Sequence, residues 1–287
     1  VTNLLMGTAH PLIDVELGDG TYYSPRRVGA GAVDALAATT ATVYPTVVGA
    51  ADPSRPKADL GDGTSGWTFQ VRLTNLSDAA HTYTLGGQAL SEMVEEGLFA
   101  EHSQNWAGAG ISLTFSGDGV AEAGDAQQIT VPAMSNATVT VTVTPREAFA
   151  SYAAENASKG TFIDGAVTFT STDGAPNLTV PYVGFYGSWG APAIFDLVTP
   201  DNHISGYGST FMSGRLPFGQ QSPFDVEDER MINGVNPDLL VISRSTQEDA
   251  RTAVTPGTVL LRSVPSLTYT FRNEAGETIR SFTCGRA

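Results

Sequence analysis

From residue 43 to residue 187 the apolar residues recur at every second position, and that period restricts the segment to β-structure. Trp67, Phe69, Val71 and Leu73 alternate with Thr68, Gln70, Arg72 and Thr74. Val139, Val141 and Val143 alternate with Thr138, Thr140, Thr142 and Thr144, and Ile111, Leu113 and Phe115 repeat the pattern, as do Val167 and Phe169. Side chains two apart share a face, so each run has one apolar and one polar side, as a half-buried antiparallel strand requires. Turn-forming residues separate the runs at Gly61-Asp62-Gly63, Asn75-Leu76-Ser77-Asp78, Gly117-Asp118-Gly119 and Asp173-Gly174. The expected fold is mainly β: an antiparallel sandwich with Trp67, Phe69, Val71, Val139, Val141, Val143 and Phe169 facing inward.

The flanks differ. In residues 1–42 apolar positions 33, 36 and 37 form a helical stripe, with Gly29 and Gly31 at its entrance, which predicts a helix over 29–41. Val1 to Met6 lack the basic start and cleavage signature of a signal peptide and read as the end of an amphipathic helix whose beginning lies upstream. Residues 188–203, with Gly190, Pro192 and Pro200, read as a junction, and 204–256 show little periodicity. Leu267, Tyr269 and Phe271 alternate again before Asn273-Glu274-Ala275-Gly276, and Ile279 to Phe282 resume, which predicts a hairpin. Three segments result: 1–42 with α content, 43–190 as a first sandwich, and 191–287 as part of a second.

Bulk properties narrow the function classes. A chain of 287 residues buries a core without staples, and 41% hydrophobic against 16% charged residues excludes a disordered polymer. The net charge of −15, with Arg26-Arg27 as the only adjacent basic pair, argues against nucleic acid and against anionic membrane surfaces. One cysteine, Cys284, makes an internal disulfide framework impossible. No run reaches the ~18 apolar residues that a membrane-spanning helix needs.

The N-terminal segment resembles the stretch that closes a subtilase catalytic domain. The residues that carry this are Leu4-Leu5-Met6-Gly7-Thr8-Ala9-His10-Pro11, Tyr22-Tyr23-Ser24-Pro25-Arg26-Arg27 and Gly29-Ala30-Gly31-Ala32-Val33-Asp34. They are most similar to the cell-envelope proteinases, lactocepin and the complement-cleaving cell-wall peptidases. Gly160 to Phe169 and Val180 to Gly187 look like late strands of the first fibronectin type III-like domain of that family. Pro192 to Asp196 and Leu260 to Ile279 resemble the start and a hairpin of the next one. In place of the acidic, Gly-rich loop that follows an apolar strand in family members, Val241-Ile242-Ser243 runs into Arg244-Ser245-Thr246-Gln247-Glu248-Asp249.

Catalytic residues are not expected in this chain. A subtilase needs converging Ser, His and Asp. Ser65 stands in a Gly63-Thr64-Ser65-Gly66 context, but a strand follows it rather than a helix, so it reads as a turn residue. His10, His81, His102 and His203 show no metal spacing. Asp59-Leu60-Gly61-Asp62-Gly63 and Asp225-Val226-Glu227-Asp228-Glu229 lack the ligand series of a calcium loop, and calcium there is a minor expectation beside none. The sequons at Asn75, Asn136, Asn156 and Asn177 are read as turn asparagines, Trp67 as core, and Trp106 and Trp189 as loop pins.

The resemblance therefore implies a non-catalytic piece of a secreted or cell-wall-attached bacterial serine endopeptidase. Its partners would be the upstream protease domain of the same polypeptide and the peptide substrates of that enzyme. The alternative is an independent adhesion or carbohydrate-binding sandwich.

Overall fold

The computed structural model describes residues 1–191, 211–214, 254–257 and 264–285. Up to residue 191 the chain forms helices α1 (Thr2–Gly7), α2 (Pro25–Val28) and α3 (Ala35–Thr40), then strands β1 (Val43–Val47), β2 (Ala58–Gly63), β3 (Trp67–Asn75), β4 (His81–Glu95), β5 (Leu98–Asn105), β6 (Ile111–Ser116), β7 (Val120–Ala123), β8 (Ala126–Val131) and β9 (Asn136–Pro145). Helix α4 (Glu147–Asn156) and strands β10 (Thr161–Ser171) and β11 (Leu178–Tyr186) complete it.

Two sheets pack face to face. One runs β1-β3-β9-β6; the other runs β2-β11-β10-β4-β8-β7, with β5 folded back on β4. In the first sheet Phe69 lies opposite Val141, Val71 opposite Val139, and Phe115 opposite Val141 on the other side. These valines and Phe69 are buried, while the intervening threonines bond across the outer face, as Thr68 does to Thr142 at 3.3 Å. The second sheet answers with Tyr83, Ile129, Ile163, Val167, Phe169, Val180 and Tyr182, and the rings of Phe69 and Tyr182 meet 5.8 Å apart. Trp67 is partly buried against the same core.

Three details depart from the sequence expectations. Gly61-Asp62-Gly63 is not a turn but the end of β2, which pairs parallel with β11. The register slips by one residue between Asp59 and Asp62, and Gly61, at φ +70°, supplies the left-handed backbone that such a bulge needs. The helix expected over 29–41 is confined to Ala35–Thr40, because Gly29 and Gly31 both hold positive φ and Asp34 caps the Ala37 amide at 2.8 Å. Val33 and Leu36 are exposed and Ala38 is buried. Helix α4 interrupts a stretch read as strands. Phe149, Tyr152 and Ala153, spaced three and four apart, bring its apolar side against Trp106 and Tyr186.

Beyond residue 191, strand β12 (Phe211–Gly214) pairs antiparallel with β13 (Val254–Gly257). Strands β14 (Ser266–Arg272) and β15 (Thr278–Gly285) form the expected hairpin around 273–276, with Tyr269 and Phe282 stacked at 5.1 Å. His203, the 225–229 charge run and the 241–249 stretch lie outside the described residues. Among the described residues no helix is long and apolar enough to cross a membrane.

Candidate functional site

Strands β10 and β11 are buried on both faces for most of their length, although the sandwich core covers only one. The N-terminal segment covers part of the other, and the polar groups it brings define the site. Ser24 starts α2 as its N-cap, accepting from the Arg26 amide, and Pro25 follows with the backbone angle a first helical turn requires. That turn aims Arg26 at β10.

Arg26 Nε donates to Asp164 Oδ2 at 2.6 Å, and its terminal nitrogen lies 3.0 Å from Glu92 Oε1 on β4. The guanidinium also rests 4.2 Å from the centre of the Phe162 ring. Ser24 Oγ donates to the same Asp164 oxygen at 2.5 Å. Glu92 accepts in turn from the Thr161 hydroxyl and, at 3.2 Å, from the Phe162 amide. Asp164 is fully buried, and its Oδ1 has no hydrogen-bond partner. Burial pushes its carboxyl above the usual range, and Arg26 and Ser24 offset only part of that. Two carboxylates thus share one guanidinium.

Further contacts join the same surfaces. Gln88 on β4 accepts from the Tyr22 amide at 2.9 Å and donates to Gly20 O at 2.8 Å. His102 on β5 lies 2.7 Å from the buried carboxylate of Asp14. Leu12, Ile13, Val15, Val33 and Leu36 of the segment are exposed, as are Glu16 and Asp19.

The residues singled out in the sequence take other places. Ser65 is exposed on the bend before β3. His10 bonds Asp34 at 3.0 Å, and His81 bonds Asp173 at 3.2 Å, each at a different place in the fold from His102. Asp59 and Asp62 lie on β2, where Asp62 accepts from the Trp189 amide at 2.7 Å. Among the described residues no group of three His, Cys, Asp or Glu converges as a metal site would require. Asn75 is buried, its side chain accepting from Ser77 and donating to Ala79 O in a turn. Trp106 pins its loop, donating to Ser91 Oγ at 2.9 Å. Sequence reasoning missed Asp164 and Glu92. The legible signal was a carboxylate inside the apolar run Phe162 to Phe169, since an unpaired charge is not buried.

Comparison with known proteins agrees with this architecture. Residues 59–183 match the Fn3-like domain family. Over 193 residues, 67% of this chain, the sequence is 31% identical to the PII-type proteinases of Lactococcus lactis subsp. cremoris and of Lacticaseibacillus paracasei, and spans 9% of their length. It is 28% identical to the C5a peptidase of Streptococcus pyogenes serotype M1, across 65% of this chain and 14% of that protein. Among solved structures, the E. coli chaperone DraB aligns with a TM-score of 0.28 and 8% identity over 85% of this chain and 96% of that one, too low to add to the argument. Similarity to secreted and cell-wall-anchored bacterial proteinases supports an extracellular or cell-wall location. The chain carries an Fn3-like domain within a stretch similar to the cell-envelope, subtilisin-type proteinases of bacteria.

Proposed function

We propose that the sandwich over 43–190 braces the catalytic domain of a subtilisin-like serine endopeptidase. In this reading residues 1–42 are the closing edge of that domain, and 191–287 belong to a second Fn3-like sandwich. The upstream part of the polypeptide carries the Asp, His and Ser of the triad, and this chain contributes no catalytic group. Bracing steadies the surface on which peptide substrates are positioned.

The observation that carries this reading is that the N-terminal segment combines a buried polar anchor with several exposed apolar side chains. Toward β10 and β4 it is held by Arg26 on Asp164 and Glu92. The same segment exposes the apolar side chains Leu12, Ile13, Val15, Val33 and Leu36, which are suited to burial against a neighbouring domain. A polar, partly buried anchor fixes orientation, and apolar side chains supply association free energy.

The test uses the longer polypeptide that contains the catalytic domain. Arg26→Ala is expected to shorten the half-life of peptidase activity on heating several-fold, while kcat/KM for a short peptide before heating stays unchanged. Leu36→Asp, at an exposed position, is expected to do the same without disturbing the ion pairs. Half-lives equal to the parent's for both variants would remove the bracing reading.

A further inference from the structure

The second anchor of the N-terminal segment differs from the first in kind. His102 presents both ring nitrogens to carboxylates: Nδ1 lies 2.7 Å from Asp14 Oδ2, and Nε2 lies 3.6 Å from Glu16 Oε2. A neutral imidazole donates from one nitrogen only, and its other nitrogen would turn a lone pair toward a carboxylate. The imidazolium donates from both. Either form can donate from Nδ1 to Asp14, while Glu16, beyond hydrogen-bond distance, adds a second negative charge that favours the imidazolium.

Asp14 is what the ring holds in place. Its side chain is fully buried, and Oδ1 accepts from the Glu16 amide at 3.1 Å and, more weakly, from the Leu17 amide. Its amide donates to Thr21 O at 2.7 Å, closing the loop whose end, Tyr22 and Tyr23, bonds Gln88 and Leu12. The surroundings add negative charge from each neighbouring element: Glu16 from the turn, Glu95 from β4, and Glu101 from β5 near Tyr23.

We propose that His102 is a proton-dependent staple, which holds the 13–23 loop to β5 more tightly while the ring is charged and loosens its hold when the ring loses its proton. The loop lies within the covering segment, so the device makes the grip of that segment on the sandwich depend on pH. The proposal rests on the ring geometry and stands whether or not an upstream protease domain is present.

The direction follows from linkage. The hydrogen bond to Asp14, with the charges of Asp14, Glu16 and Glu95, raises the His102 pKa above that of a free histidine. Burial pushes the Asp14 carboxyl up, but the bonds from His102 and from the Glu16 and Leu17 amides outweigh it and leave it below its usual value. A raised folded pKa gives stability that is fully present below the unfolded value, about 6.5, and is lost as pH rises through the folded value. Asp14 stays ionised throughout that window.

Amide hydrogen exchange on this chain tests the device, with protection factors corrected for the intrinsic rate and β9 amides as internal reference. Between about pH 6 and about pH 9, a window that brackets the histidine titration, the Asp14 and Tyr23 amides are expected to lose protection relative to β9. His102→Gln, which keeps one donor and cannot titrate, is expected to show the weaker protection at both ends and no pH dependence. A parallel NMR titration is expected to place the His102 midpoint above that of an exposed histidine peptide. Protection that stays level with pH in the parent chain, or an equal pH dependence in His102→Gln, overturns the proposal.

Discussion

Arg26 Nε lies 2.6 Å from Asp164 Oδ2, and this one bond joins positions 138 residues apart in the sequence. It ties a four-residue helix to a strand whose stretch from Phe162 to Val167 is otherwise apolar. The pair is not a surface ion pair of negligible worth, because Asp164 is 1% exposed and Arg26 28%. The second carboxylate, Glu92, shares the guanidinium and is itself held by the Phe162 amide.

Replacing Arg26 by Ala strands that carboxylate. Removing one partner of a buried pair costs on the order of 3–5 kcal/mol, and the partial exposure of Arg26 places the expected loss near the lower limit. Burial already holds the Asp164 carboxyl above its usual range. A carboxyl raised in the fold contributes fully below its unfolded pKa of about 3.9, and the contribution is lost as pH rises through the folded value. The gap in urea midpoint between Arg26→Ala and the parent is therefore expected to widen from about pH 4 to about pH 7. A gap that stays constant would show that Asp164 does not titrate with the seam.

The register of β9 predicts an asymmetry between adjacent residues. Val141 is fully buried between Phe69 and Phe115, whereas Thr140 lies on the outer face opposite Gln70 and Ser116. Val141→Asp buries an unpaired charge at a cost of several kcal/mol, and Thr140→Asp should cost under about 1 kcal/mol. Chemical denaturation ranks the two, and the reverse order would mean a strand slipped by one residue.

Gly165 sits on a central strand between two neighbours. It pairs with Tyr182 on one side and Ala89 on the other, at φ +153°. A Cβ there would sit 2.0 Å from Gln88 O, the atom that accepts the Tyr182 hydroxyl at 2.9 Å. Gly165→Ala must push a central strand aside, and a loss of about 2 kcal/mol or more is expected from thermal or urea unfolding. Gly124, whose Cβ would meet no atom within 4 Å, serves as the control. Its positive φ alone should cost Gly124→Ala about 1 kcal/mol. Equal losses would leave the close approach at Gly165 without energetic weight.

The alternation of small hydrophobic and threonine residues determined the sandwich by itself. Period two assigns each side chain of β3, β6 and β9 to a face before any partner is known, and the buried set Phe69, Val71, Val139, Val141, Val143 and Phe169 followed from it. The β14–β15 hairpin was legible for the same reason. The helical stripe at 33, 36 and 37 was legible but the extent of the helix was not, because the positive φ of Gly29 and Gly31 confines it to Ala35–Thr40. Helix α4 was hidden by its surroundings, although Phe149, Tyr152 and Ala153 carried its spacing.

The seam belongs to tertiary structure alone. Local sequence around Arg26 specifies a capped helical turn, and around Asp164 a strand, but neither neighbourhood contains the other's charge. Only closing the chain over β10 desolvates Asp164, brings Arg26 and Glu92 to it, and sets His102 between Asp14 and Glu16. Short-range patterning fixes faces because it depends on backbone geometry. Ion pairing and proton affinity depend on burial and on partners far along the chain, which the fold supplies.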